Sequence, residues 1–342
     1  MKTERINVSV EVMPTDPSIQ RAAELLLAGE LVSFPTETVY GLGANGLDET
    51  AARSIYLAKG RPSDNPLILH VDGRAMLDLA AAAVSPLEER LIDDFWPGPL
   101  TLIFPKTELV SSTVTGGGDT VAVRSPLHPI ALSLIQAAGV PIAAPSANQS
   151  GRPSPTDADM VWHDLDGRIA MILDGGPCTV GVESTVVACT DGNITIYRPG
   201  AVTEEMLSAY APVYMDPALA GHGVPKSPGM KYRHYSPRVP VVIFQGAKNA
   251  VARMIQNNYR SDCGYFISQE TAQHLPSQAH TFVWGKREDQ RAMARSLYMA
   301  LTTLEQLPIT EIIAEGIAPT GLGMAIMNRL AKAAGYHIKE VI

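Results

Sequence analysis

The residues of this chain that could do chemistry gather in short polar runs at the ends of apolar ones. Lys59-Gly60-Arg61-Pro62-Ser63-Asp64-Asn65-Pro66 sets a point charge two positions from a planar guanidinium, a pair suited to phosphate oxygens, and the Gly and Pro around them can turn both cations to one side. Ordinary helix-end chemistry accounts for Lys59, Gly60 and Pro62 equally well, but leaves Arg61 and the Ser-Asp-Asn run without a reason. Read this way, both cations are exposed loop charges. Pro35-Thr36-Glu37-Thr38-Val39-Tyr40-Gly41 places two hydroxyls and a carboxylate where a strand ends, the usual position of small-ligand sites in α/β proteins. His70 closes the run LILHV, and Arg124 closes TVAVR after a triple-glycine loop, where its fork suits a carboxylate; a surface salt bridge serves it equally well. Pro145-Ser146-Ala147-Asn148, then Ser154 and Thr156, Ser184-Thr185 and Arg198-Pro199-Gly200 repeat the pattern, so that hydroxyls, amides and arginines recur at strand ends as for a polyanion and a polar small molecule. Gly41-Leu42-Gly43-Ala44-Asn45-Gly46 is formally GxGxxG and offers a nicotinamide-dependent oxidoreductase as an alternative, yet the run before it turns polar where a buried parallel strand stays apolar. HExxH, the Walker lysine motif and GxSxG are absent, so metalloprotease, P-loop and serine-hydrolase chemistry lack their usual signals.

These residues need a scaffold, and the apolar periodicity supplies one. Strands are expected at 31–36, 66–71, 100–105, 120–125, 141–145, 169–174, 183–189 and 194–198, with helices at 48–59, 74–82, 86–95, 128–138 and 157–164. Asp16-Pro17 reads as a cap and first position of a further helix through Leu27. Strands outnumber helices too far for a pure βαβ array, so the expected fold class is α/β with a mixed, twisted sheet. Residues 217–240 hold five Pro, three Gly, four Lys or Arg and no acid. They read as a linker over 217–239 between a domain at 1–216 and a smaller α/β domain at 240–342. In the latter, strands are expected near 239–244, 263–267, 281–284 and 309–314, and helices near 248–258, 288–306 and 321–334. Met293, Leu297, Ala300, Leu301 and Leu304 share one helical face, which indicates core. Gly321-Leu322-Gly323 reads as a helix-initiating turn rather than an anion site.

Composition narrows the function classes. The chain has 342 residues, 46% hydrophobic and only 18% charged, with 28 Gly and 26 Pro, which implies many neutral loops. A net charge of −8 argues against coating nucleic acid with bulk positive charge, the alternative of a non-catalytic RNA-binding module. Cys178, Cys189 and Cys263 form no CxxC and suggest reduced thiols. No apolar run reaches membrane-spanning length and the N-terminus lacks a signal core, so a cytoplasmic protein with no membrane is expected.

SFPTETVYGLGAN, KGRPSDNPLILHV, TVAVRSP, APSANQSGRPSPT, VESTVV and IYRPGAV, in this order, resemble the YrdC-like family of threonylcarbamoyl-adenylate synthases, and SPGMKYRHYSP with the region after it resembles its longer, two-domain members. The resemblance implies a YrdC-like mixed sheet with flanking helices and a concave site, followed by a Rossmann-like α/β domain. It implies a nucleotidyltransferase joining L-threonine, bicarbonate or CO2 and ATP into threonylcarbamoyl-AMP and pyrophosphate, for N6-threonylcarbamoyladenosine at position 37 of tRNAs reading ANN codons. Its partners would be a downstream tRNA threonylcarbamoyl-transferase complex and, weakly, RNA. Carried over by motif, Lys59 and Arg61 are catalytic and ATP-binding, with Asn65, Thr120, Ser146, Asn148, Ser154, Arg198 and Tyr235 also on ATP. Thr38, His70, Arg124, the backbone of Ala144 and Ser184 bind threonine. Mg2+ would arrive with the ATP phosphates, as no carboxylate cluster offers it a cage. The linker would close as a lid bringing Lys231, Arg233 or Tyr235 to bound ATP.

Overall fold

The structure is a computed structural model that describes residues 2–220 and 234–341. The described residues divide into two compact units. The first runs to Ala220 without Gly151–Ser154 and Val180–Val182, which belong with the residues from His234 onward in the second. Lys231 and Arg233 lie outside the described residues.

In the first unit the strands are β1 (Glu4–Asn7), β2 (Val32–Phe34), β3 (Gly41–Asn45), β4 (Ile68–His70), β5 (Leu100–Pro105), β6 (Thr120–Arg124), β7 (Ile142–Ala143), β8 (Met171–Asp174), β9 (Thr185–Thr190), β10 (Asn193–Arg198) and β11 (Val213–Met215). They form one mixed sheet in the order β1-β8-β2-β3-β7-β4-β6-β5-β9-β10-β11. The apolar runs become its buried middle: Leu100, Leu102, Phe104, Val121 and Val123 pack beneath helices against Ile55, Leu134 and Ile135 in one core. Local chemistry sets the helices. Asp16 caps Pro17–Leu27 by accepting from the Ser18 amide, and Asp48 caps Glu49–Lys59 by accepting from Thr50 and Ala51. The latter helix ends on Gly60 in the left-handed conformation (φ 62°), so that the Arg61 amide turns back to Tyr56 O.

β3 corrects the sequence reading twice. Gly41–Asn45 is a strand additional to the expected ones, antiparallel to β2 and β7, so the dinucleotide-binding alternative loses the loop it needs. The glycines serve packing instead: a Cβ on Gly43 would lie 2.8 Å from Phe34 Cε1, and one on Gly46 would lie 2.6 Å from Leu69 Cδ2. β1 and β11 are also additional to the expected strands. The helix expected at 74–82 is a single turn, Arg74–Leu77.

The second unit has five parallel strands, β12 (Val241–Gly246), β13 (Cys263–Ile267), β14 (His280–Val283), β15 (Glu311–Glu315) and β16 (Ile338–Val341), in the order β14-β13-β15-β12-β16. β16 is additional to the sequence reading. Helix Gln290–Leu304 buries the apolar face that its spacing indicates, and Leu322–Ala333 starts at the glycine turn, whose Gly323 amide donates to Gln290 Oε1. All three cysteines are free, and no helix among the described residues is long and apolar enough to cross a membrane.

Candidate active site

Arg124 organises one end of the central strands. β6 carries it beside His70 on β4, in register, and both side chains are buried. Its Nε donates to Gly98 O at 3.1 Å, its Nη1 to Thr38 Oγ1 at 2.9 Å, and its Nη2 pairs with the Glu37 carboxylate. Of the two partners considered for Arg124, the surface salt bridge is therefore corrected to a buried ion pair. The Thr36 hydroxyl donates to Val39 O at 2.7 Å, so across its 2.8 Å contact with Thr38 the Thr38 hydroxyl is the donor. His70 is pushed down to about 3, first by burial and then by Arg124, and its ring stays neutral at pH 7.

A second cluster lies across β5, β9 and β10. Arg198 is buried and holds Ser184 through Nε to the carbonyl at 3.0 Å and Nη2 to Oγ at 3.0 Å. Thr101 Oγ1 meets the same Oγ at 2.7 Å. Gly200 permits this contact, since a Cβ there would sit 2.3 Å from Thr185 N. The charges of Arg124 and Arg198 both act on His70, which joins the two clusters.

The third cluster departs from the sequence reading. Lys59 is 3% exposed, not a loop charge, and its ammonium donates to Ser146 O at 2.6 Å and to Asn148 O. Burial and the nearby Arg61 push its pKa well down, against three acceptor oxygens that favour the charged form. Lys59 thus ties the helix to the turn carrying Ser146 and Asn148, which rests on β3 through Leu42 N to Pro145 O and Ala147 N to Tyr40 O. Arg61, in contrast, lines an open cavity of about 780 Å³ with Arg53, Ser63, Gly116 and Gly117, and Lys59 does not. Lys59 is thus a buried brace and Arg61 a cavity-lining cation.

Among the other sequence-predicted residues, Asn65 is buried with its Nδ2 lacking a hydrogen-bond partner, which leaves a donor ready for a ligand. Ala144 is buried, with its amide on Ile68 O. Thr120 is exposed at the start of β6, four residues or about 13 Å along the strand from Arg124. Ser154 and Tyr235 belong to the second unit, where Tyr235 is buried, sets its ring tilted at 5.4 Å from that of Tyr298 and takes a left-handed backbone (φ 63°). Glu37 is read from the sequence only as a strand-end carboxylate with no assigned role, and Thr101 and His128 are not among the predicted residues. Glu37 stands inside the quoted PTETVYG run, so its type and place were visible; its pairing with a residue 87 positions away was not.

Comparison with known proteins settles the family. Residues 24–200 match the Sua5/YciO/YrdC family, described as telomere recombination, and residues 202–335 match the threonylcarbamoyl-AMP synthase C-terminal domain. The chain belongs to the Sua5/YciO/YrdC family. The threonylcarbamoyl-AMP synthase of Bacillus subtilis is 46% identical over 99% of this chain and 99% of its own, and that of Pyrococcus abyssi is 44% identical over 94% and 96%. The crystal structure of P. abyssi Sua5 complexed with L-threonine superposes with a TM-score of 0.92 at 43% identity, covering 99% of this chain and 100% of that one. The family's YrdC-like domain is followed here by the synthase C-terminal domain, which makes this a member of the two-domain type.

The buried imidazole gives a measurable consequence. Below the ordinary histidine pKa of 6.5 the unfolded chain takes up a proton that folded His70 refuses, so its contribution to stability is present above about pH 6.5 and is lost as pH falls toward 3. Denaturant melts should show about 1.4 kcal/mol lost per pH unit in that window. His70→Gln should flatten that limb, and an unchanged slope in the variant would place the acid sensitivity elsewhere.

Proposed function

We propose that this protein is an L-threonylcarbamoyladenylate synthase. It joins L-threonine, bicarbonate or CO2 and ATP, taken as its magnesium complex, into threonylcarbamoyl-AMP with release of pyrophosphate. The product serves N6-threonylcarbamoyladenosine formation on tRNA through a downstream transferase. The single observation that carries this reading is full-length identity above 40% to named synthases, a threonine-bound homologue among the matching structures.

The chain's own residues suit the work. Arg124, fixed on two sides by Gly98 and Thr38, offers a held guanidinium to the threonine carboxylate. Thr38, His70, Ser184 and the Ala144 backbone close around the rest of the amino acid. Lys59 fixes the turn that brings Ser146 and Asn148 to the nucleotide, and Arg61, Asn65, Thr120, Ser154, Arg198 and Tyr235 are the further residues proposed to bind it. Because the carbamate oxygen itself attacks the α-phosphorus, no protein nucleophile is required, and catalysis is adenylyl transfer by positioning and charge stabilisation. Pyrophosphate release should require both threonine and bicarbonate. Release that continues unchanged when threonine is left out would refute the reading.

A further inference from the structure

We propose that Glu37 receives the α-ammonium of threonine and takes one of its protons as the carbamate forms, a role that rests on the synthase reading above. Threonine binds as a zwitterion, and its nitrogen is not a nucleophile until the ammonium is deprotonated. If Arg124 holds the carboxylate, the ammonium stands a bond or two away and needs a buried acceptor. Glu37 is 4% exposed, its Oε2 pairs with Arg124 Nη2, and its Oε1 is buried without any hydrogen-bond partner. A carboxylate oxygen left bare in the interior is costly unless a donor arrives to meet it.

The neighbouring groups are less suited. The Thr38 hydroxyl already donates to Thr36 Oγ1 and accepts from Arg124 Nη1. The His70 ring is buried and neutral, so it carries no charge to receive an ammonium. The titratable groups around Glu37 are Arg124 from β6, His128 ahead of helix Pro129–Ala138, and Cys178 in the loop after β8. Burial holds the imidazole of His128 below its ordinary range and the thiol of Cys178 far above its own, so both stay neutral at pH 7. Glu37 therefore supplies the local negative charge.

The step balances with bicarbonate as the carbon source. The nitrogen lone pair forms the N–C bond while the C–OH bond of bicarbonate breaks. Of the three ammonium protons, one stays on the carbamate nitrogen, one passes to Glu37 Oε1, and one leaves with the hydroxyl oxygen as water. Transfer from ammonium to carboxylate inside a buried site removes two charges at once, which favours it over the same transfer in water.

The test is the pH profile of threonine- and bicarbonate-dependent pyrophosphate release by Glu37→Gln beside the wild type. If the wild type shows no such dependence, the synthase reading fails, independently of Glu37. Where the wild type is active, Glu37→Gln is expected to turn over about 100-fold more slowly near neutral pH and below. Its rate should then climb about tenfold per pH unit toward the α-amino pKa of about 8, a climb the wild type lacks. A variant profile parallel to the wild type, at whatever level, would overturn the proposal, because a structural defect lowers the rate by one factor at every pH. If Glu37→Gln does not fold, the wild type decides by calorimetric titration. There 3-hydroxybutanoate, threonine without its ammonium, should bind about 10- to 100-fold more weakly than L-threonine. Equal affinity would overturn the proposal.

Discussion

Arg124→Ala is expected to cost about 3–5 kcal/mol of stability, the loss typical of removing one partner from a buried ion pair. The physical reason is the carboxylate left behind. Arg124 and Glu37 are each 4% exposed, so without the guanidinium Glu37 has a buried charge and no counter-ion. Gly98 O and Thr38 Oγ1 lose their donors in the same change. At about 2–4 °C per kcal/mol for a unit of this size, thermal unfolding should fall by roughly 10 °C. Adding Glu37→Gln to Arg124→Ala should return part of the loss, since a neutral amide tolerates burial better than an unpaired carboxylate, and the double-mutant cycle then measures the coupling. Activity should not return with it, because the threonine carboxylate still lacks its fork. Arg124→Lys separates the two roles: it keeps a charge for Glu37 but not the planar donor set, so stability should recover further than the threonine KM. An Arg124→Ala enzyme that melts with the wild type would show that the pair contributes nothing to the fold.

The ion pair also marks where the sequence is legible. Apolar runs such as LTLIFP and TVAVR announce strands, because a strand buried in the middle of a sheet must be apolar along its length, and they appear as β5 and β6 where expected. GLGAN does not read as a strand, since its glycines have low strand propensity. They are there because Phe34 and Ile142 approach too closely for a Cβ, a fact of the packed fold alone. Short edge strands such as β11 and β16 carry too few residues for a period to show. The same division holds at the site. Thr38, Arg124, Ser184 and Arg198 stand out as residue types at strand ends, but their grouping into an Arg124 cluster and an Arg198 cluster depends on sheet order. β4 lies beside β6, a pairing that does not follow from spacing along the chain, whereas β9 and β10 are joined as a hairpin by the two-residue turn Asp191-Gly192. Lys59 is the sharpest departure. Helix-end rules explain its position and put it in solvent, whereas the turn at Pro145, far away in sequence, folds over it and turns an exposed cation into a buried donor.

That burial changes what Lys59→Ala should do. An exposed charge could be removed with little effect on the fold. Here its loss leaves Ser146 O and Asn148 O without their donor and empties the space of a four-carbon stem. Bare buried acceptors cost about 1–3 kcal/mol each. The cavity adds to this, while relief of the ammonium's desolvation subtracts. The balance expected is about 2–4 kcal/mol of destabilisation, with pyrophosphate release down about 100-fold or more as Ser146 and Asn148 lose their placement. Lys59→Met refills the stem without the donor, so it should recover the cavity part of the stability and none of the activity. Denaturation with alkali gives an independent check. With the folded pKa below 10.5, the unfolded chain keeps a proton that the folded chain has released in the window between the two values. Wild-type stability should therefore gain a rising contribution from Lys59 across that window, and Lys59→Met should lack it. If Lys59→Ala lost its activity but melted with the wild type, Lys59 would act on the nucleotide alone and the brace between helix and turn would carry no weight.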